Sequence, residues 1–141
     1  MKIKMKIKRL YVAAASLMLL LSGCFGLFDN GTDGIVDNYT VTWIDLHAHR
    51  ALYNTEEVVP AYVAAVGYNS QYLFVKQHPL TGQFDSNVME SVTYYYLIKR
   101  TKSKSQDQPV YGPLSEEAFN ILCHKLEIND VTFSTHYPEN I

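Results

Sequence analysis

The chain has 141 residues, 12 Lys+Arg, 14 Asp+Glu and a formal net charge of −2. Five of those cations, Lys2, Lys4, Lys6, Lys8 and Arg9, precede any acid, so residues 24–141 hold seven cations against all fourteen acids and a net charge of −7. That balance excludes a basic nucleic-acid binder held by counterion release, and the length excludes a complete α/β barrel, which needs roughly 250 residues.

Residues 1–9 form a cationic head, and residues 10–21, LYVAAASLMLLL, form an apolar run. A bilayer span needs about twenty apolar residues, so the run is too short to cross. Basic head, short apolar stretch and small residues together read as an export signal over 1–23. Leu21, Ser22, Gly23 and Cys24 then resemble the lipobox of bacterial lipoproteins at all four positions. The resemblance implies diacylglyceryl transfer to the Cys24 sulfur, cleavage after Gly23, and an acylated N-terminus at Cys24. A thiol suits the transfer, and small side chains at 22 and 23 expose the backbone to a peptidase. Residues 24–38 are rich in Gly, Asp and Asn and are expected to be the lipidated N-terminus and a tether. Phe25, Leu27 and Phe28 either dip into the membrane interface or form a plain lead. Past Cys24 the one remaining cysteine is Cys123. With Cys24 acylated, Cys123 has no disulfide partner in the chain and is expected to be a small core residue.

A single globular domain is expected over 39–141. Tyr39–Leu46, YTVTWIDL, is β-branched and aromatic and predicts a strand, with Tyr39, Val41 and Trp43 on one face. A short strand is expected over Arg50–Tyr53, followed by a polar connection, NTEEVVP. Tyr62–Val66 and Gln71–Gln77 predict a hairpin, with Asn69-Ser70 as its tight-turn pair because Asn tolerates positive φ. His78-Pro79 ends the return strand, since proline offers no ladder donor.

Leu80–Glu90 reads as a loop. Val92–Lys99, VTYYYLIK, is the strongest strand signal and is expected to be central, with Tyr94, Tyr96 and Ile98 opposite Tyr95 and Leu97. Arg100–Gln108 has no apolar residue and reads as an exposed loop, and Val110-Tyr111 as an edge strand. Ser115 is a good N-cap, Glu116 and Glu117 complement the helix dipole, and Leu114 with Phe119 forms a hydrophobic staple. Phe119, Leu122, Cys123 and Leu126 recur at i, i+3, i+4 and i+7, one buried stripe. A last strand is expected within Val131–Thr135. The fold class is α+β: one antiparallel meander of four to six strands with a C-terminal amphipathic helix packed on it.

Three blocks at similar spacing resemble an uncharacterised family of small bacterial lipoproteins, a domain of unknown function. They are YTVTWI (39–44), VGYNSQYLFVK (66–76), and YYLI (95–98) followed by VYGPLSEE (110–117) and a helix carrying Cys123 and Ile128. The resemblance implies a compact, membrane-anchored single domain and carries no catalytic residues. His47, His49 and the longer loop at 100–108 depart from its pattern.

Asp45-Leu46-His47-Ala48-His49 looks like the D-x-H-x-H strand end of metal-dependent amidohydrolases. Histidines at i and i+2 of a strand project to one side and can share a metal, with His124 or His136 as a third ligand. Those enzymes draw further ligands from a barrel that this chain is too short to form, and the alternative is a solvent-facing His pair on a strand end. Tyr94-Tyr95-Tyr96 reads either as a stacking platform or as packed cross-strand neighbours. Lys99, Arg100, Lys102 and Lys104 read as a solvated loop or a contact for anionic lipid. Glu56-Glu57 and Glu116-Glu117 are adjacent and point apart, so neither is a paired-carboxylate site. No phosphate loop or cofactor motif is read. The expected function is a lipid-anchored, non-enzymatic interaction module at the cell or outer membrane, with the bilayer and an envelope protein as partners. The alternative is a metal-binding protein or metal-dependent hydrolase using His47 and His49. An immunity or inhibitor role against a secreted toxin is a further binding role of this kind.

Overall fold

Side chains alternate between the two faces of a strand, so a strand covered on both faces must be apolar at both parities. Where this chain meets that condition decides its architecture. The computed structural model describes residues 29–81, 87–102 and 108–137. In chain order the strands are β1 (Asn30–Val36), β2 (Tyr39–Ile44), β3 (Ala51–Asn54), β4 (Glu56–Val59), β5 (Val63–Tyr68), β6 (Tyr72–Gln77), β7 (Tyr94–Lys99), β8 (Val110–Leu114) and β9 (Thr135–His136). A 3-10 turn, His47–His49, lies between β2 and β3, and one α-helix, α1 (Glu116–Lys125), follows β8.

These strands form two antiparallel sheets, not the single meander expected. The first has the order β1-β2-β3-β4 and the second β8-β7-β6-β5-β9. Tyr39, Val41, Leu52 and Val59 from the first sheet pack against Val63, Leu73, Val75, Tyr96 and Ile98 from the second. The opposite parity of the second sheet, Phe74, Tyr95 and Leu97, packs on Phe119 and Cys123 of α1 and on Ile128. The second sheet is therefore the middle of three layers, sheet, sheet and helix. This explains why VAAVGY, YLFVK and YYYLI read as near-continuous apolar runs. β7 is interior as expected, but the middle strand is β6.

Several local expectations hold with changed bounds, and others are corrected. Residues 30–36 are β1 and not a tether. Gly, Asp and Asn suggest turns, but an edge strand exposes most of its side chains and needs few apolar ones; here Ile35 and Val36 reach the core. The NTEEVVP connection contains β4, which returns on β3 through a tight turn at Thr55, where φ is +71°. The last strand is the two-residue β9, paired with β5 at Ala65 and Val66, and residues 131–134 are irregular. Asn69 makes the β5–β6 turn as expected, but through its side chain and not through positive φ. Its Oδ1 accepts from the Gln71 and Tyr72 amides at 2.9 and 2.7 Å, an Asx arrangement that satisfies donors the hairpin leaves unpaired. Ser115 caps α1 as predicted, its Oγ accepting from the Ala118 amide at 3.2 Å.

The irregular segment after α1 crosses the helix-side face of the second sheet. Phe133 meets Phe74 and Tyr95 there, with ring centroids 6.4 Å apart in both pairs. Gly67 allows that crossing, because a Cβ at 67 would lie 1.8 Å from the Thr132 carbonyl oxygen. Gly67→Ala is therefore expected to lower the melting temperature, since a backbone segment must move. Phe74 is fully buried, and Phe74→Ala should cost about 3–5 kcal/mol in urea unfolding. Ile121→Ala, on the exposed side of α1, should change stability by no more than about 0.5 kcal/mol. Equal effects at 74 and 121 would contradict the layer assignment.

Candidate functional site

The end of the first sheet where β1 begins holds the histidine segment that the sequence singles out. Asn30 pairs with Ile44, the last residue of β2. Asp45 then takes φ +64°, a conformation that Asp tolerates, and breaks the strand. Its amide donates to the Asp29 carbonyl at 2.7 Å, and the Leu46 amide donates to the Ile44 carbonyl at 2.8 Å. The chain next closes the 3-10 turn, with the His49 and Arg50 amides donating to the Leu46 and His47 carbonyls at 3.0 and 3.1 Å.

That turn corrects the expectation of two histidines on a strand end. Successive residues of a 3-10 helix are about 120° apart around its axis, so i and i+2 do not share a side. Ala48, between them, is the residue that points into the protein. His47 instead meets the Trp43 ring edge-on, at a centroid distance of 3.9 Å and an interplanar angle of 74°. His49 is exposed and, with Thr42, Trp43, Ile44 and Tyr53, lines a groove of about 380 Å³. Trp43 lies across Gly31, its cross-strand neighbour, where a Cβ would come within 2.5 Å of the indole nitrogen. Among the described residues no three His, Cys, Asp or Glu side chains gather to hold a metal. His124 is on α1, on the far side of the second sheet, and His136 is on β9.

The other polar groups with chemical potential have structural roles. His78 is buried and its Nδ1 lies 2.8 Å from the Val92 carbonyl oxygen, which only accepts, so this nitrogen donates. Arg50 is also buried. Its guanidinium stands 4.4 Å from the Tyr137 ring centroid and 5.8 Å from that of Tyr62, and Nη1 donates to the Tyr62 hydroxyl at 3.5 Å. Aromatic faces thus surround this cation. Burial pushes the Tyr137 hydroxyl well above its ordinary pKa, and nearby Asp33 adds to the shift. Spacing gave no sign of Arg50, because Tyr137 is brought to it only by β9. Cys123 is buried, and desolvation pushes its thiol up, as a core role requires.

Tyr94, Tyr95 and Tyr96 do not form a platform: Tyr95 and Tyr96 are buried in different cores and Tyr94 alone is exposed. Arg100 departs from the solvated-loop reading. Its Nε and Nη2 donate to the two carboxylate oxygens of Asp37 at 2.9 and 3.2 Å, Nη1 donates to the Asn69 carbonyl, and the guanidinium sits 5.3 Å from the Tyr68 ring centroid. One side chain joins the β1–β2 turn to the β5–β6 turn. Lys104 lies outside the described residues, as do Cys24, Phe25, Leu27 and Phe28.

What these observations define is a β-rich, three-layer domain with one α-helix among the described residues. The chain belongs to the family described as Protein of unknown function (DUF3997), whose model matches residues 36–137. No curated protein and no solved structure matches the chain.

The Arg100 guanidinium holds the Asp37 carboxyl below its ordinary value of 3.8. A carboxyl depressed in the folded state contributes stability that is present above its unfolded pKa and is lost as pH falls through the folded one. Asp37→Asn should therefore melt below the native protein at pH 7, and the two should converge as pH drops below about 4. Arg100→Ala should cost on the order of 1 kcal/mol at neutral pH, the scale of a well-formed pair near the surface.

Proposed function

We propose that this protein is a lipid-anchored component of the bacterial cell envelope whose folded domain serves as a non-enzymatic interaction module. One observation carries the reading: Leu21-Ser22-Gly23-Cys24 stands directly after a basic head and a twelve-residue apolar run. Order and spacing match what diacylglyceryl transfer to sulfur and cleavage before Cys24 require. Among the described residues no helix is long and apolar enough to cross a membrane. Attachment on this reading comes from acyl chains on Cys24. Two or three chains hold far more firmly than one, at about 0.8 kcal/mol per buried methylene. The interaction role is supported by the structural employment of His78, Arg50, Arg100, Ser115 and Cys123, and by Val110 and Tyr111 exposed on edge strand β8. An exposed strand edge offers unpaired backbone groups to a partner protein.

The alternative keeps His47 and His49 as metal ligands for binding or hydrolysis. Its further ligands would have to come from a rearranged turn or from outside the described residues. His47→Ala/His49→Ala should leave zinc content and the zinc-induced melting shift unchanged; loss of bound zinc in the double variant would favour the alternative over the module.

Thiol counting tests the anchor. With Cys24 acylated, the envelope form unfolded in denaturant should present one reactive thiol, Cys123, and should partition into a detergent phase. A chain beginning at residue 25, made without the leader and Cys24, should enter the aqueous phase. Two reactive thiols, with aqueous partitioning of the native chain, would contradict lipidation.

A further inference from the structure

We infer that the end of the first sheet where β1 begins is a bilayer-contact face, with Trp43, Ile44 and Leu46 seated in the headgroup–acyl boundary of a zwitterionic membrane. This rests on the anchor at Cys24 proposed above and says which way the anchored domain faces.

Ile44 and Leu46 are 58% and 45% exposed, large apolar side chains beside half-buried Trp43. Trp43 and Ile44 occupy opposite faces of β2, so a surface laid across the end of the sheet, and not along one face, meets both, and large apolar side chains grouped at one end mark a contact surface more often than a scattered exposed residue does. Indole, an apolar ring with one N–H donor, is the side chain that favours the membrane interface. The location of the cluster selects the bilayer over other occupants. The Asp45 amide donates to the Asp29 carbonyl at 2.7 Å, so the first described residue lies directly against this patch. Five peptide units separate Asp29 from Cys24, a reach of at most about 18 Å. Acyl chains on Cys24 would hold that residue at the membrane surface, so the patch could not stand far from it. Tethering at this range gives a weak apolar contact a high effective concentration.

Charge refines the class of surface. Residues 29–49 contain no Lys or Arg, and Asp29 and Asp45 flank the patch, which suits zwitterionic lipid better than anionic lipid. His47, His49 and Tyr53 are the other titratable groups beside it. Lys99 ends β7, and Arg100 and Lys102 follow it beside the Asp37 turn, at the opposite end of β1. Seven residues of strand separate the two ends, about 20 Å. Lys99, Arg100 and Lys102 therefore lie at the end away from the membrane.

Trp43 is the only tryptophan in the chain, so its fluorescence reports this face alone. Full-length protein taken from the envelope is reconstituted into phosphatidylcholine vesicles, with or without brominated phosphatidylcholine. Docking predicts a blue-shifted Trp43 emission, strong quenching by bromolipid and several-fold protection from aqueous iodide relative to a leaderless chain beginning at residue 25 in solution. Ile44→Ser/Leu46→Ser should lose most of the bromolipid quenching while keeping its melting temperature and detergent partitioning. An acylated Cys24 with Trp43 open to iodide and untouched by bromolipid would overturn the contact face and leave the anchor standing. A concentration-dependent shift of Trp43 without lipid would also overturn it, in favour of a second copy of the chain as the occupant. A free thiol at Cys24 would overturn both readings.

Discussion

The structure depends on covering both faces of the second sheet. β5, β6 and β7 are apolar at both parities, and such strands in water would expose two apolar surfaces at once. One face is covered by the first sheet and the other by α1 with the segment that follows it. The order of the chain follows from this need. Four N-terminal strands form the first cover, the middle of the chain forms the sheet, and the C-terminal helix closes the second face before β9 pairs with β5. Removing either cover would leave a two-sided apolar sheet with no independent stability.

The polar side chains that join the layers act at their margins. Arg100 joins the β1–β2 turn of one sheet to the β5–β6 turn of the other through Asp37 and the Asn69 carbonyl. Arg50 lies between Tyr62 and Tyr137 at the start of β3, where β5 and β9 come close to it. One ties the basic end of the molecule and the other stands one residue from the histidine turn. The domain therefore has two distinct ends: a charged, tied end, and an apolar, acidic end at which the described residues begin.

Much of this was legible before the fold was known. The alternation of Tyr94–Ile98 indicated two opposed apolar faces, and the stripe at Phe119, Leu122, Cys123 and Leu126 marked the helix face. Ser115 and the Leu114–Phe119 staple located its start, which the structure places at Glu116. The division into two sheets was not legible, because alternation shows that a strand has two faces and not which strand lies across from each. β1 was missed because its Gly and Asp residues suit turns as well as an edge strand. The histidine motif misled for a related reason. D-x-H-x-H has strand geometry only if the strand continues, and Asp45 at φ +64° ends it one residue before Leu46. The Arg50 and Arg100 contacts span 87 and 63 residues in the chain, beyond the reach of any local pattern.

As proposed, a small acidic domain stands outside the cytosol, close against the membrane that holds it. That placement depends on the covalent bond proposed at position 24. The most direct measurement is the intact mass of the protein taken from the cell envelope. The expected mass is that of a chain beginning at Cys24, increased by a diacylglyceryl group on sulfur and by any acyl group on the new amino terminus. A mass matching an unmodified chain that retains Met1, or a chain cut elsewhere with Cys24 bare, would contradict it.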